Sequence, residues 1–361
     1  MNKSIMAAAI LAASAGAAYA QSGVTIYGIL DASYLRESGG AAGTVHKISS
    51  GAASASRLGF RGNEDLGGGL SAIFTLESGV KIDTGELDAN NTLFNRQAFV
   101  GLKSRAGTIT LGRQYTPWHQ ALVQVGDPWG TGFAGGSKNI FPDFGTNVRA
   151  SNTLLYSAPE TMGFTGDLAY SLGEQPGSAK AGRQMGFSVG YANGPLNVRV
   201  AYNNKNSDVA AAPGVTPVDR SIGTNKMIVA NYDFQVVKAY FAYSKDKGFN
   251  SAPLGNNNNP FGSVVPPTAS LNSNEYLLGL SAPLGGGTVL ASYMRKNDKT
   301  FFNQDARGWG VGYLYPLSKR TSLYTAYASI NNKNGAGYTV NNNTEAGTGD
   351  RAFNLGVRHS F

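Results

Sequence analysis

Apolar and polar residues alternate one by one along most of this chain. From Val24 to Tyr34 the even positions are nearly all apolar, while the odd ones carry Thr25, Asp31 and Ser33. Phe164, Leu168, Tyr170 and Leu172 alternate with Thr165, Asp167, Ala169 and Ser171, and Leu196, Val198, Val200 and Tyr202 with Asn197, Arg199, Ala201 and Asn203. The last segment sets Phe353, Leu355, Val357 and Phe361 against Asn354, Gly356, Arg358 and Ser360. A period of two marks a strand with unlike faces, and no sustained 3.6-residue pattern competes with it.

Sixteen such segments begin near residues 22, 54, 69, 93, 107, 152, 163, 184, 195, 224, 236, 273, 287, 306, 320 and 351. Their connections alternate in length. Long ones cover about 36–53, 80–92, 116–151, 174–183, 205–223, 246–272, 297–305 and 331–350, with tight turns between them. Long loops on one rim and short turns on the other predict a sixteen-stranded antiparallel transmembrane β-barrel. Tyrosines gather near segment ends, as an interfacial girdle requires.

Composition narrows the class. Only 14% of residues are charged, and glycine makes up 48 of 361. Cysteine is absent, which excludes disulfides, thiolate catalysis and thiolate-held metals. The chain opens on Lys3, an apolar run from Ile5 to about Ala18, and Ala18-Tyr19-Ala20, the small-x-small pattern of a signal-peptidase site. Residues 1–20 are therefore expected to be a cleaved signal peptide, leaving 21–361 as a single barrel domain. Loss of Lys3 takes the net charge from +8 to about +7.

Catalytic readings find little purchase. The three histidines, His46, His119 and His359, fall in loops or at the C-terminus, and no Gly-x-Ser-x-Gly elbow occurs. No histidine pair has metal-ligand spacing, and Gly67–Gly69 and Gly285–Gly287 lack a phosphate-loop lysine. The expectation is a non-enzyme without cofactor or metal. No basic run suggests nucleic acid. Strand parity turns Arg57 and Arg61 toward the lumen, opposite Leu58 and Phe60, because a charge at mid-depth on the lipid face costs roughly 2–4 kcal/mol. Glu77 shares a face with Ser71, Ile73 and Thr75 and is lumenal by the same argument. Arg96 conflicts with parity, lying in step with Ala98, Val100 and Leu102; a β-bulge or burial at a subunit interface would reconcile it.

The third loop, about Tyr115 to Ser151, is too long to lack a role. Trp118, Leu122, Val125, Trp129, Ile140, Phe141 and Phe144 need burial, which the barrel wall offers, so the loop should fold inward. Its charges are Asp127 and Asp143 against Lys138 and Arg149. The sixth loop, with Asn256–Asn259 and Pro266-Pro267, reads as polar, extracellular and mobile.

Four stretches carry a family resemblance: Val24–Gly28, Ser56–Leu70, Asn95–Leu102 with Gly107–Gln114, and the ending Gly356–Phe361. Together they resemble the general porins of β-proteobacteria, of the neisserial and Burkholderia/Comamonas type. The resemblance implies a homotrimer of sixteen-stranded barrels in the outer membrane of a Gram-negative bacterium, each with its own pore. It implies contacts with outer-membrane lipid and lipopolysaccharide, and with the assembly machinery that reads the terminal aromatic, here Phe361. It also implies that Arg57, Arg96 and Arg149 line the constriction, with Glu77 beside them. The expected function is passive diffusion of small anions and hydrophilic solutes, with weak to moderate anion preference. The alternative is a barrel acting as adhesin, receptor or hydrolase. Gly308, Gly310 and Gly312 offer either a close-packing subunit face or a lumenal one.

Overall fold

The computed structural model describes residues 23–142 and 147–361. The expected signal peptide and Asp143 lie outside the described residues. The chain folds as a closed antiparallel sheet. Its first half contains β1 (Gly23–Gly40), β2 (Gly43–Ser50), β3 (Arg57–Gly67), β4 (Leu70–Gly79), β5 (Gln97–Ser104), β6 (Gly107–Tyr115), β7 (Arg149–Ser157) and β8 (Phe164–Ser171). Then follow β9 (Gln184–Asn193), β10 (Leu196–Lys205), β11 (Gly223–Asp233), β12 (Lys238–Ala252), β13 (Ser270–Leu284), β14 (Gly287–Asp298), β15 (Ala306–Pro316), β16 (Thr321–Asn332) and β17 (Arg351–Ser360). Consecutive strands pair, except that β2 and β3 both pair with β1, and β17 closes the ring on β1, from Ile29↔Ser360 to Ser38↔Arg351.

Seventeen segments make sixteen staves, because β2 and β3 are two halves of one. β1 pairs with β2 over Ala32–Gly40 and with β3 over Gly23–Ile29. Between the halves, Gly51–Ser56 leaves the ladder and is held by Asp31. Ser54 donates its backbone N–H to Asp31 Oδ2 at 2.9 Å, Tyr324 donates its hydroxyl to Oδ1 at 2.6 Å, and the Ser56 hydroxyl caps both backbone groups of Asp31. The long first loop expected at 36–53 is thus corrected. β1 and β2 form a hairpin that turns at Gly40–Gly43, and only 51–56 is irregular.

The alternation sorts as lipid and water demand. On β9, Met185, Phe187 and Val189 face outward while Gln184, Gly186 and Ser188 are buried inside. Aromatic pairs sit near both rims, Phe164 with Tyr191 and Tyr232 with Phe234 at the short-turn end, Tyr243 with Tyr276 and Trp309 with Tyr327 toward the long-loop end. At the seam, Phe361 exchanges two backbone hydrogen bonds of 3.1 Å with Gly28. A Cβ on Gly28 would stand 2.3 Å from the Phe361 ring, so the glycine makes room for the terminal aromatic.

The third loop folds into the lumen and narrows it. Thr116 caps a short helix, α1 (Pro117–Ala121), its hydroxyl accepting the His119 N–H, and a π-helical turn, Leu122–Gly126, continues it. Trp118, Leu122, Val125, Ile140 and Phe141 are all buried, against Met227, Val229, Leu277 and Met294 of the inner wall. Burial of side chains of this size stabilises by about 1.5–3 kcal/mol each, enough to hold a loop inside a watery channel. Gly308, Gly310 and Gly312 line this contact. A Cβ at Gly310 would lie 2.4 Å from the Gly135 backbone, so their role is lumenal packing and not a subunit face. The sixth loop carries hydrogen bonds across the mouth, from Ala41 N–H to Pro260 O and from Gln304 Nε2 to Pro266 O. The eighth, 333–350, also turns inward. Asn341 bonds Asn139 of the third loop, and Asn343 bonds Gly51.

Candidate functional site

Five basic side chains converge where the third loop meets β3–β7. Arg57 opens β3 just below the break, and its Nε donates to Ala55 O at 2.9 Å. Arg96 lies in a bend one residue before β5 begins, with its N–H on Glu77 O. That position explains the parity conflict without a bulge or an interface: outside the ladder, the residue is free of strand alternation. Its Nε meets Glu77 Oε1 at 2.8 Å and its Nη2 donates to the Tyr115 hydroxyl at 2.6 Å. Arg149, the first residue of β7, stacks over the Tyr115 ring at 4.6 Å and donates to the same hydroxyl at 3.1 Å.

Tyr115 is therefore a hinge pin for two guanidiniums, which strand parity alone did not single out. Arg113 also escaped notice because it keeps step with the outward Ile109 and Leu111. A register shift between Gly112 and Gln114, opposite an extra residue on β7, breaks that step. Arg113 Nε donates to Asn95 O at 2.6 Å and Nη1 to the Ser151 hydroxyl at 2.9 Å. Gly112 has φ +135°, and an added Cβ would lie 2.1 Å from Ala98 O, so this bulge requires glycine.

Arg57, Arg96, Arg113 and Arg149 line one cavity of about 500 Å³, together with Lys138 and, among the described residues, a single carboxylate, Asp88. Glu77 sits behind this surface, only 2% exposed, accepting from Arg96 on one oxygen and from the Tyr27 hydroxyl on the other at 3.0 Å. It neutralises Arg96 locally instead of standing in the lumen as an independent opposing charge. Arg61 lies further down the same face, its guanidinium 5.3 Å from the Tyr27 ring, outside the cavity.

Asp127 does not face the channel. It is buried, and its two oxygens accept the N–H groups of Trp129, Thr131 and Ser137 at 2.8–3.0 Å, so its charge organises the loop from within. Trp129 completes the clamp by donating from Nε1 to the Ser292 hydroxyl on the opposite wall. The arrangement is a water-accessible gap with fixed positive charge on one side and a packed loop on the other. Guanidiniums cannot lose their protons at working pH, so the field is permanent. Among the described residues no cluster of three or more metal-ligating side chains occurs.

Known proteins agree with this architecture. The family model for Gram-negative porins matches residues 7–336. An outer membrane porin protein of Bordetella pertussis and outer membrane porin protein 32 of Delftia acidovorans are each 33% identical, over the whole length of both chains. Among solved structures, an anion-selective porin from Comamonas acidovorans superposes with TM-score 0.74 at 28% identity, covering 94% of this chain and all of that one. The chain belongs to the Gram-negative porin family and is a porin of the outer membrane.

Proposed function

We propose that this porin is a general diffusion channel with a moderate preference for anions, and that Arg57, Arg96 and Arg149, joined by Arg113, form its constriction. The observation that carries the reading is the set of guanidiniums at the 500 Å³ cavity, where Arg57, Arg96, Arg113 and Arg149 meet one lining carboxylate among the described residues. Among the described residues Glu77 cancels Arg96, and Asp88 alone stands against Arg57, Arg113 and Arg149, which leaves arginine charge in excess. Charges held in a narrow, partly desolvated gap are screened less than loop charges, whose field decays over about 8–10 Å at physiological salt. Their sign therefore sets selectivity, and the net charge of the whole chain does not. The anion-selective relative from Comamonas acidovorans supports the same sign.

The functional unit is read as a homotrimer. The outward faces of β3–β6, with Leu58, Val100, Leu102, Ile109 and Leu111, are apolar and lack the aromatic pairs found elsewhere, which suits a subunit contact. Residues 1–20 are read as the export signal, and Phe361, seated on Gly28, as the mark for the assembly machinery.

The test is planar-bilayer reversal potential under a tenfold KCl gradient. Wild type should give an anion-signed potential, and Arg57→Ser with Arg149→Ser should move it toward the cation side without loss of channel formation. A double variant that keeps the wild-type potential refutes the assignment of these arginines.

A further inference from the structure

Below the constriction the lumen holds a second cavity of different chemistry. It measures about 400 Å³ and lies on the short-turn side of the third loop, against the inner faces of β4–β8 and β10. Tyr115 and Gln120 border both this cavity and the arginine-lined one, so the two lie in series along the lumen. Among the described residues its lining carries one cation, Arg199, and one anion, Asp167. The rest is carboxamide, hydroxyl or apolar, with Ile73, Phe99 and Leu155 forming an apolar flank.

Neighbouring strands hold each charge in place without neutralising it. Arg199 projects from β10 across Gly190 of β9, where a Cβ would stand 2.9 Å from its Nε. Its Nη1 donates to Gln124 Oε1 of the third loop at 3.1 Å and its Nη2 to the Thr165 hydroxyl of β8 at 3.2 Å. A guanidinium carries five donors, so each Nη keeps a second N–H for a ligand. Asp167 accepts the Ser157 hydroxyl on Oδ1 at 2.7 Å and the Ser188 hydroxyl on Oδ2 at 2.9 Å. The two serines aim the carboxylate and leave each of its oxygens a lone pair. Arg199 and Asp167 do not pair with each other, and neither pairs with another charge among the described residues.

The spacing selects the ligand. Thr165 and Asp167 are two residues apart on one face of β8, about 6.6 Å, and the guanidinium rests on the Thr165 hydroxyl. The two charges therefore stand roughly 6–7 Å apart along the wall, too far for a direct ion pair. An anion at Arg199 meets the opposing field of Asp167, and a cation at Asp167 meets that of Arg199. A molecule carrying both charges satisfies both. In an α-amino acid two bonds of about 1.5 Å separate the ammonium nitrogen from the carboxylate carbon. With a charge-assisted hydrogen bond of about 2.8 Å at each end, the bent chain of contacts closes a gap of roughly 6–8 Å. We propose that this cavity is a transit site for zwitterionic α-amino acids, the carboxylate on Arg199, the ammonium on Asp167 and an apolar side chain against Phe99 and Leu155. The proposal rests on the protein conducting and not on the sign of its selectivity. Its failure is read in block by net-neutral solutes, and failure of the constriction assignment in the reversal potential.

The experiment is block of single-channel current in planar bilayers by L-phenylalanine and by N-acetylphenylalanine amide, which is also neutral overall but carries no charge. The half-blocking concentration of wild type should be at least fivefold lower for phenylalanine. Asp167→Asn and Arg199→Gln should each abolish that preference. Relative to wild type, Asp167→Asn should be blocked more readily by N-acetylphenylalanine, which keeps only the carboxylate. Arg199→Gln should be blocked more readily by phenylalanine methyl ester, which keeps only the ammonium. Such charge-matched gains do not arise from a structural lesion. Glu160→Gln, at the short-turn rim, should change nothing. Equal block of wild type by the two neutral solutes overturns the proposal without recourse to a variant, and so does a preference that survives in both Asp167→Asn and Arg199→Gln. A preference lost in Arg57→Ser with Arg149→Ser but kept in Asp167→Asn places the site at the constriction and overturns it as well.

Discussion

Replacing Asp127 by Ala should loosen the third loop without unfolding the barrel. The carboxylate accepts three backbone N–H groups inside a buried turn. Each donor left unsatisfied costs about 1–3 kcal/mol, so the turn from Trp129 to Ser137 stands to lose roughly 3–9 kcal/mol in place. The strand ladders are untouched, and the penalty is relieved by local opening, which needs far less free energy than global unfolding. Even the low end, at about 1.4 kcal/mol per tenfold, raises the open fraction more than a hundredfold. Lys138, in the short 3₁₀ turn Ser137–Asn139, supplies the reporter, since trypsin can cut there only when the loop leaves its seat. The assay is the rate of tryptic cleavage after Lys138 in intact folded porin, alongside single-channel conductance. Cleavage should rise at least tenfold, and the current should become larger and noisier. Asp127→Asn, which keeps one acceptor oxygen, should fall between. Cleavage and conductance equal to wild type for Asp127→Ala would refute the view that this residue holds the loop.

Three further outcomes follow from the same geometry. Glu77→Gln removes the partner of a buried guanidinium, so reversal potentials should move further to the anion side while thermal stability falls by about 3–5 kcal/mol, measured by heat-induced loss of the folded band on gels. Gly28→Val should drive the Phe361 ring from its seat, given the 2.3 Å approach of even a Cβ, and slow barrel folding in refolding gel-shift assays without changing the selectivity of the channels that form. The eighth loop should stay latched at moderately acid pH: burial pushes the Glu345 carboxyl up, but Lys47 and Ser49 beside it outweigh this and hold it below the usual carboxylate range. A depressed carboxyl stabilises above that range and loses its effect as pH falls through the lowered value, so hydrogen-exchange protection at Thr344–Gly347, after division by the intrinsic exchange rate, should hold down to the ordinary carboxylate range and be lost only below it.

The sheet was legible in the sequence because lipid leaves few choices. A strand with one face in hydrocarbon must alternate, and segments such as Met185–Tyr191 do so without exception. The inward fold of the third loop was legible for the same reason, since Trp118, Leu122, Ile140 and Phe141 had nowhere else to go. The break in the second stave was harder to read. Gly51–Ser56 is a run of small residues that reads as loop end, and the preceding Gly43–Ser50 alternates too weakly, with Lys47 and Ser49 against His46 and Ile48, to declare itself a strand. The site lost detail wherever the backbone departs from the ladder. Arg96 sits one residue outside a strand and Arg113 beside a bulge, so alternation misreports both. Tyr115, an aromatic at a strand end, resembles a girdle residue until the two guanidiniums on its hydroxyl are seen.

The gap between β2 and β3 makes the wall and the pore lining one mechanical object. Where Gly51–Ser56 leaves the ladder, Asp31 and Tyr324 supply the tie from the wall, and the third loop supplies the tie from the lumen, through Phe133 N–H on Ala52 O at 2.6 Å and the tight seating of Gly132 against Ala53. The loop is thus a keystone as well as an obstruction. Its excision should not yield a wider version of the same channel, but a barrel whose second stave has lost its inner brace and yields there first under heat or denaturant.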